Sequence, residues 1–217
     1  MASPALPSWS SSPTREAIVR FVDTVTCGTN AVRLEDRVAV FDNDGTLWPE
    51  KPMPVQVHFI VEKWRGQSAS VAEFMSAAHH PTLHRSYAQT AYQPMVELLR
   101  FLADNSFTCY IVSVGDRDFM RPIVEQCYGI PPERVIGSAL GLRYDNAIDD
   151  VRYESTFEFM DDGPEKPVRI LGEAVGRGYT VASVQRDWAT IFAPLDQPAQ
   201  GAFVNGPNTQ GLFERKP

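Results

Sequence analysis

The chain has 217 residues, 43% hydrophobic and 22% charged, with 27 acidic against 20 basic side chains and a net charge of −7. That length suits one α/β domain with a small insertion and a core large enough to fold alone. The acidic balance argues against a nucleic-acid partner, which leaves a basic footprint, but not against an anionic small molecule, because a local field can oppose the net charge. In chain order, residues 1–13 are rich in Pro and Ser and read as a flexible tail. They hold no basic n-region and no apolar h-region of a secretory signal. No later stretch reaches membrane-spanning length, so the cytoplasm is the expected location and no membrane partner is expected. Thr14 can cap a helix through Ala17, Ile18, Phe21, Val22 and Val25, whose spacing makes one apolar face. Cys27, Cys109 and Cys127 form neither a disulfide framework nor a metal spacing. Cys109, in an apolar run, and Cys127, in a helical pattern, read as structural thiols.

Strand one is expected over 37–42, and its apolar run Val38–Phe41 ends in two carboxylates one residue apart, Asp42 and Asp44. Two acids at the carboxyl end of a buried strand are costly unless a cation or a bound substrate compensates them. Asp42 can attack phosphorus as a carboxylate nucleophile. Asp44 can protonate a leaving group and later deprotonate water. Gly45 lets the backbone turn sharply at once. A solvated Asx turn is the bland alternative. An EF-hand fits badly, since its glycine comes sixth and a helix precedes it. The string Phe41-Asp42-Asn43-Asp44-Gly45-Thr46-Leu47-Trp48 resembles the first motif of the haloacid dehalogenase-like (HAD) hydrolases, and more closely the phosphoserine-phosphatase-like branch of bacterial acid phosphatases. The resemblance implies an α/β fold with a Rossmann-like core, a parallel sheet and a small helical cap. It also implies hydrolysis of a small phosphorylated molecule and a Mg2+ ion on the Asp42 side chain and the Asp44 carbonyl. Relatives of this branch are often exported, so export with the signal missing from this chain is the alternative location.

From Trp48 to about Gln89 the pattern changes, with Pro52 and Pro54 followed by helical stretches at 55–65 and 69–78. An insertion here is where the family carries its cap. His79, His80 and His84 read as a surface loop, because adjacent residues do not share a helix face. Tyr92–Asn105 is an amphipathic helix with Met95, Leu98, Leu99 and Leu102 on one stripe. A second strand, 107–112, ends at Ser113, at the edge where open α/β sheets bind ligands. Taken alone, Ser113 could be a helix N-cap; in the resemblance it matches the second motif, where a hydroxyl holds a phosphate oxygen. Relatives usually place glycine next, and here it is Val114.

Ile130–Ser138 reads as a loop and third strand, and Arg143–Phe159 as a β-excursion. Asp161-Asp162-Gly163-Pro164-Glu165-Lys166-Pro167 then resembles the third motif. There the Lys166 ammonium would neutralise both the phosphate and Asp42, although a lone lysine is ordinarily a solvated charge. The family's fourth motif, an apolar strand ending in acids that complete the Mg2+ site, is not apparent after Lys166. Filling positions in order makes Tyr179–Val184 the fourth strand and Asp187 its metal ligand. The resemblance instead matches 178–192 to the last strand and tail of the branch, with several dozen residues and the third carboxylate lost after Ile170. Asp161 and Asp162 are a third option for metal.

The organisation expected is a core over 14–50 and 90–192, a cap over 51–89, and flexible tails at 1–13 and 193–217. The function expected is phosphomonoester hydrolysis, impaired by loss of the fourth motif. A degenerate relative that binds phosphorylated ligands or a partner is the alternative. A haloacid dehalogenase is disfavoured, because reaction at carbon needs no acid at Asp44. The sequence carries no signal of oligomeric state.

Overall fold

The computed structural model describes residues 5–66 and 70–174. Helix α1, Pro13–Thr26, begins two residues earlier than a cap at Thr14 would set it. Its cap is Ser12, whose Oγ accepts from Arg15 N at 3.3 Å, with Pro13 first in the helix. Proline belongs there, since it lacks an N–H that would go unpaired anyway.

Strand β1, Val38–Phe41, is buried along its whole length, the mark of a central parallel strand covered on both faces. It pairs in parallel with β2, Thr108–Asp116, from Val38↔Thr108 to Phe41↔Ile111. β2 pairs in parallel with β3, Val135–Asp145, through Ile111↔Val135 and Ser113↔Gly137. β4, Asp150–Phe159, returns antiparallel along β3. The fold is thus mixed α/β, as expected, with an antiparallel edge on the parallel sheet. Side chains alternate across it. Ala39 and Phe41 join the larger core with α1, while Val38 and Val40 join Val112, Ile136, Ile170 and Ala174 on the other face. Cys109 is buried in the larger core, which pushes its thiol up to about 12; such a thiol is inert.

Between β1 and α4, Gln93–Asp104, lie the two inserted helices α2, Val55–Trp64, and α3, Val71–Ala77. Their buried residues Val55, Phe59, Phe74 and Met75 belong to the same hydrophobic cluster as the sheet. Phe59 meets Phe119 of α5, Arg117–Tyr128, at 5.4 Å between ring centroids. The histidine loop is not wholly superficial: His80 is buried, and its Nδ1 accepts from Thr82 N and Leu83 N at 3.3 Å each.

β3 and β4 run beyond the sheet as a two-stranded ribbon. Leu142 pairs with Tyr153 and Tyr144 with Val151, all exposed on one face. Arg143 and Arg152 carry ion pairs to Glu154 and Asp145. The ribbon leans on the start of α5, where Tyr153 Oη donates to Asp118 Oδ2 at 3.1 Å. Among the described residues, no helix is long and apolar enough to cross a membrane.

Residues 5–12, expected within a flexible tail, are docked. Leu6 is 2% exposed. Trp9 Nε1 donates to Pro94 O at 2.8 Å, and Ser8 binds the Glu97 carboxylate through both N and Oγ. Two apolar side chains in a Pro/Ser-rich stretch are enough to hold it against α4. Leu6→Ala should therefore lower the unfolding free energy by about 2–3 kcal/mol, as truncation of buried leucines does. Urea denaturation would measure this, and a loss near zero would return the segment to a loose tail.

Candidate active site

The register of the sheet brings the first two candidate segments together. Phe41 pairs with Ile111, so Asp42 and Ser113 emerge at the same, carboxyl, edge. Gly45 then turns the chain at φ +75°, which a residue with a Cβ adopts only under strain. The turn is closed by Gly45 N donating to Trp48 O at 2.9 Å and Leu47 N donating to Asn43 O at 2.8 Å. Asn43 is buried beneath it, accepting from Tyr128 Oη at 3.1 Å.

Asp42 Oδ1 accepts from Asn43 N at 2.8 Å. Its Oδ2 lies 3.1 Å from Lys166 Nζ, with both side chains largely shielded. Lys166 stands in α6, Glu165–Arg169, and reaches the edge because the ribbon carries the chain out and back. Ser138 pins that return. Its Oγ donates to Val114 O at 2.7 Å and accepts from Asp161 N at 2.9 Å, joining β2, β3 and the segment before α6.

Asp44 lies within the fields of Asp42, Glu50 and Lys166. Burial holds its carboxyl above the ordinary range; Trp48 Nε1, donating to Oδ1 at 2.7 Å, opposes this, while the charges of Asp42 and Glu50 add to it and Lys166 again opposes. A carboxyl shifted upward holds its proton more readily, which suits a proton donor.

Ser113 is fully buried, and its Oγ accepts from Gly115 N at 3.1 Å. It does not cap α5. Asp116 does, accepting from Asp118 N at 2.7 Å and Phe119 N at 3.0 Å. Strand β2 runs on to Asp116, past the end expected near Ser113, with an irregularity between the two. A Cβ on Gly115 would stand 3.4 Å from Ser113 Oγ, 3.5 Å from Gln56 Oε1 and 3.7 Å from Asp44 Oδ2. Those three groups therefore converge on one spot. Below it, a Cβ on Gly137 would meet Gly115 O at 2.7 Å, so the loop rests directly on the β3 backbone. Val114, which follows Ser113, is 44% exposed.

The structure thus brings Asp42 to Lys166 and Asp44 to Ser113. Asp187 and the candidate strand 179–184 lie outside the described residues. Asp162 is exposed and Asp161 fully buried. Among the described residues, no group of three or more His, Cys, Asp or Glu could hold a metal ion. Sequence reasoning missed three groups: Trp48 as a partner of Asp44, Glu50 as a charge beside it, and Gln56. Gln56 comes from α2 and accepts from Asp116 N at 2.9 Å, tying the inserted helices to the loop after Ser113. Only Trp48 left a signal, its place four residues after Asp44.

No protein-family model matches the chain, and no curated protein does. Among solved structures, it is similar to a conserved protein of unknown function from Anaerococcus prevotii DSM 20548, with 26% identity, 39% of this chain and 22% of the other covered, and a TM-score of 0.31. A protein of unknown function from Bordetella pertussis Tohama I shares 17% identity, over 64% of this chain and 74% of the other, at a TM-score of 0.38. A phosphoserine phosphohydrolase-like protein from Francisella tularensis subsp. tularensis SCHU S4 shares 15%, over 65% and 73%, at 0.35. The chain spans about a fifth of the length of the first of these. TM-scores this low assign neither family nor activity.

Asp161 supplies a test of the site's electrostatics. Neither carboxylate oxygen has a hydrogen-bond partner among the described residues. Burial raises its pKa from 3.8 to about 6, with the Lys166 ammonium pulling the other way. A carboxyl with a raised folded pKa binds its proton more tightly when folded, so its stabilising effect is present at low pH and is lost as pH climbs through the folded value. The melting temperature of the wild type should therefore fall relative to that of Asp161→Asn between about pH 4 and pH 7.5. Parallel curves would show that the Asp161 charge is compensated.

Proposed function

We propose that the protein is a phosphomonoester hydrolase working through an aspartyl-phosphate on Asp42. The observation that carries this reading is the Asp42–Lys166 ion pair, 3.1 Å long and mostly shielded from water. It sets a nucleophilic carboxylate beside an ammonium that can take the charge of an incoming phosphate. In the first step the Asp42 carboxylate attacks phosphorus. The bond to the leaving oxygen breaks as Asp44 gives that oxygen a proton. In the second step Asp44 takes a proton from water, whose oxygen attacks phosphorus. The acyl-phosphate bond breaks, freeing inorganic phosphate and Asp42. Ser113 and Lys166 hold non-bridging oxygens throughout. Phosphoryl transfer asks chiefly for such positioning and charge stabilisation.

The donors at this edge suit Mg2+ in kind. Both are hard oxygens, and Mg2+ usually takes one or two carboxylates, with water and substrate phosphate completing its shell. The Asp42 carboxylate and the Asp44 carbonyl would hold it, and when bound it would neutralise charge on the phosphoryl group. The set is thin, because no third acid joins it among the described residues. That observation favours the second reading, a catalytically weak relative that binds phosphorylated ligands.

Two measurements test these readings. Asp42→Asn should abolish hydrolysis of p-nitrophenyl phosphate and leave the fold intact, as judged by circular dichroism, because the carboxylate reacts rather than packs. Activity within about twofold of wild type would remove Asp42 from the reaction. Calorimetry on metal-free protein should give a Kd for Mg2+ of about 1 mM or weaker, roughly −4 kcal/mol. Tight binding that disappears in Asp187→Ala would show a complete site with Asp187 in it.

A further inference from the structure

We propose that Trp48 is a positioning residue that selects which oxygen of Asp44 handles the proton. This rests on the reading of Asp44 as acid and base, and it adds a second residue to that role. The two oxygens of Asp44 are not equivalent. Oδ1 accepts from the Trp48 indole Nε1 at 2.7 Å. Oδ2 faces the Gly115 loop, 3.7 Å from where a Cβ on Gly115 would stand, and Ser113 Oγ lies 3.4 Å from that same point. An indole has one donor and no acceptor, so it donates best to the oxygen of a protonated carboxyl that carries no proton, which is the stronger acceptor. While this bond stands, the proton of a protonated Asp44 sits on Oδ2, on the side of Ser113. The carboxyl cannot rotate by half a turn without giving the bond up.

The donor is itself immobile. Trp48 is 1% exposed, and its ring packs at 6.4 Å from Phe119 and 6.2 Å from Tyr128. Its backbone closes the turn through Gly45 N and Asn43 O. A buried indole N–H with no acceptor is costly, so the ring and the carboxyl hold each other. In the first step the Oδ2 proton passes to the leaving oxygen as that oxygen parts from phosphorus, leaving a carboxylate whose Oδ1 still accepts from Trp48. In the second step Oδ2 takes a proton from water.

Trp48→Phe keeps an aromatic ring against Phe119 and Tyr128 and deletes the donor. The test compares full-length wild type, Trp48→Phe and Asp44→Asn at one high Mg2+ concentration, on p-nitrophenyl phosphate and on an alkyl phosphate. The first has a leaving group that departs without a proton, and the second does not. Trp48→Phe should lose at least about tenfold more kcat on the alkyl ester than on the aryl one, with KM changed little, in the manner of a damaged general acid. Equal losses on both, while Asp44→Asn still discriminates, would overturn the role of Trp48 and leave that of Asp44 standing. Equal losses in Asp44→Asn as well would remove the acid role and this inference with it. A readout independent of turnover is the indole Nε1–H resonance of Trp48, assigned in the wild type by through-bond connectivity to its own backbone. In wild type it should lie downfield and exchange slowly; in Asp44→Ala it should move upfield and exchange faster. An unmoved resonance would show that the bond is not made, and would overturn the proposal even if Trp48→Phe failed to fold.

Discussion

The arrangement depends on one electrostatic constraint: two carboxylates from adjacent turns of chain leave a buried strand at the same edge of the sheet. Burial raises the cost of ionising Asp44, and the charge of Asp42 adds to it. The fold answers each differently. Asp42 receives an ammonium at 3.1 Å and a backbone N–H at 2.8 Å. Asp44 receives an indole N–H and is otherwise pushed toward its neutral form. Two chemically identical side chains thereby meet different environments, as the proposed division between a nucleophile and an acid requires.

Supplying the ammonium dictates much of the remaining topology. α6 lies far along the chain from β1. Between them stands the ribbon, whose outward and return strands end close to where they began. Ser138 makes that closure specific. A hydroxyl that both donates and accepts links the loop after Ser113 to the residue that starts the path to Lys166. The register of β2 on β3, the glycine at 137 that lets the loop lie on bare backbone, and the position of the lysine are therefore one connected arrangement.

Much of this was legible in the sequence because it has periodicity. Continuous apolar runs mark β1 and the buried part of β2, and an apolar stripe marks α4. The acids after β1 and the lysine at the third motif were legible through chemical type and order. What escaped has no local period. The Trp48 ring is part of the core, and only its nitrogen acts otherwise. Ser138 is one of many serines, and its two bonds cross 24 and 23 positions. Thr14 was the expected cap of α1, but Ser12 takes that place, because proline favours the first helical position. Leu6 and Trp9 lie where composition suggests disorder, yet burial of two large side chains offsets a short segment's ordering entropy.

Among the described residues no three acids gather to hold a metal ion, and the cation that faces Asp42 is Lys166. On the proposed reading, a phosphate dianion entering beside Asp42 meets like charge, and in a low-dielectric edge that repulsion is larger than in water. Its compensation then falls on Lys166, whose single charge is shared between Asp42 and the ligand. The upward shift of Asp44 works in the same direction, since a carboxyl that holds its proton more readily adds less repulsion and presents a donor more often. On the proposed reading, that shift and the placement of Lys166 serve two ends at once: admitting the anion, and readying the acid that releases its leaving group.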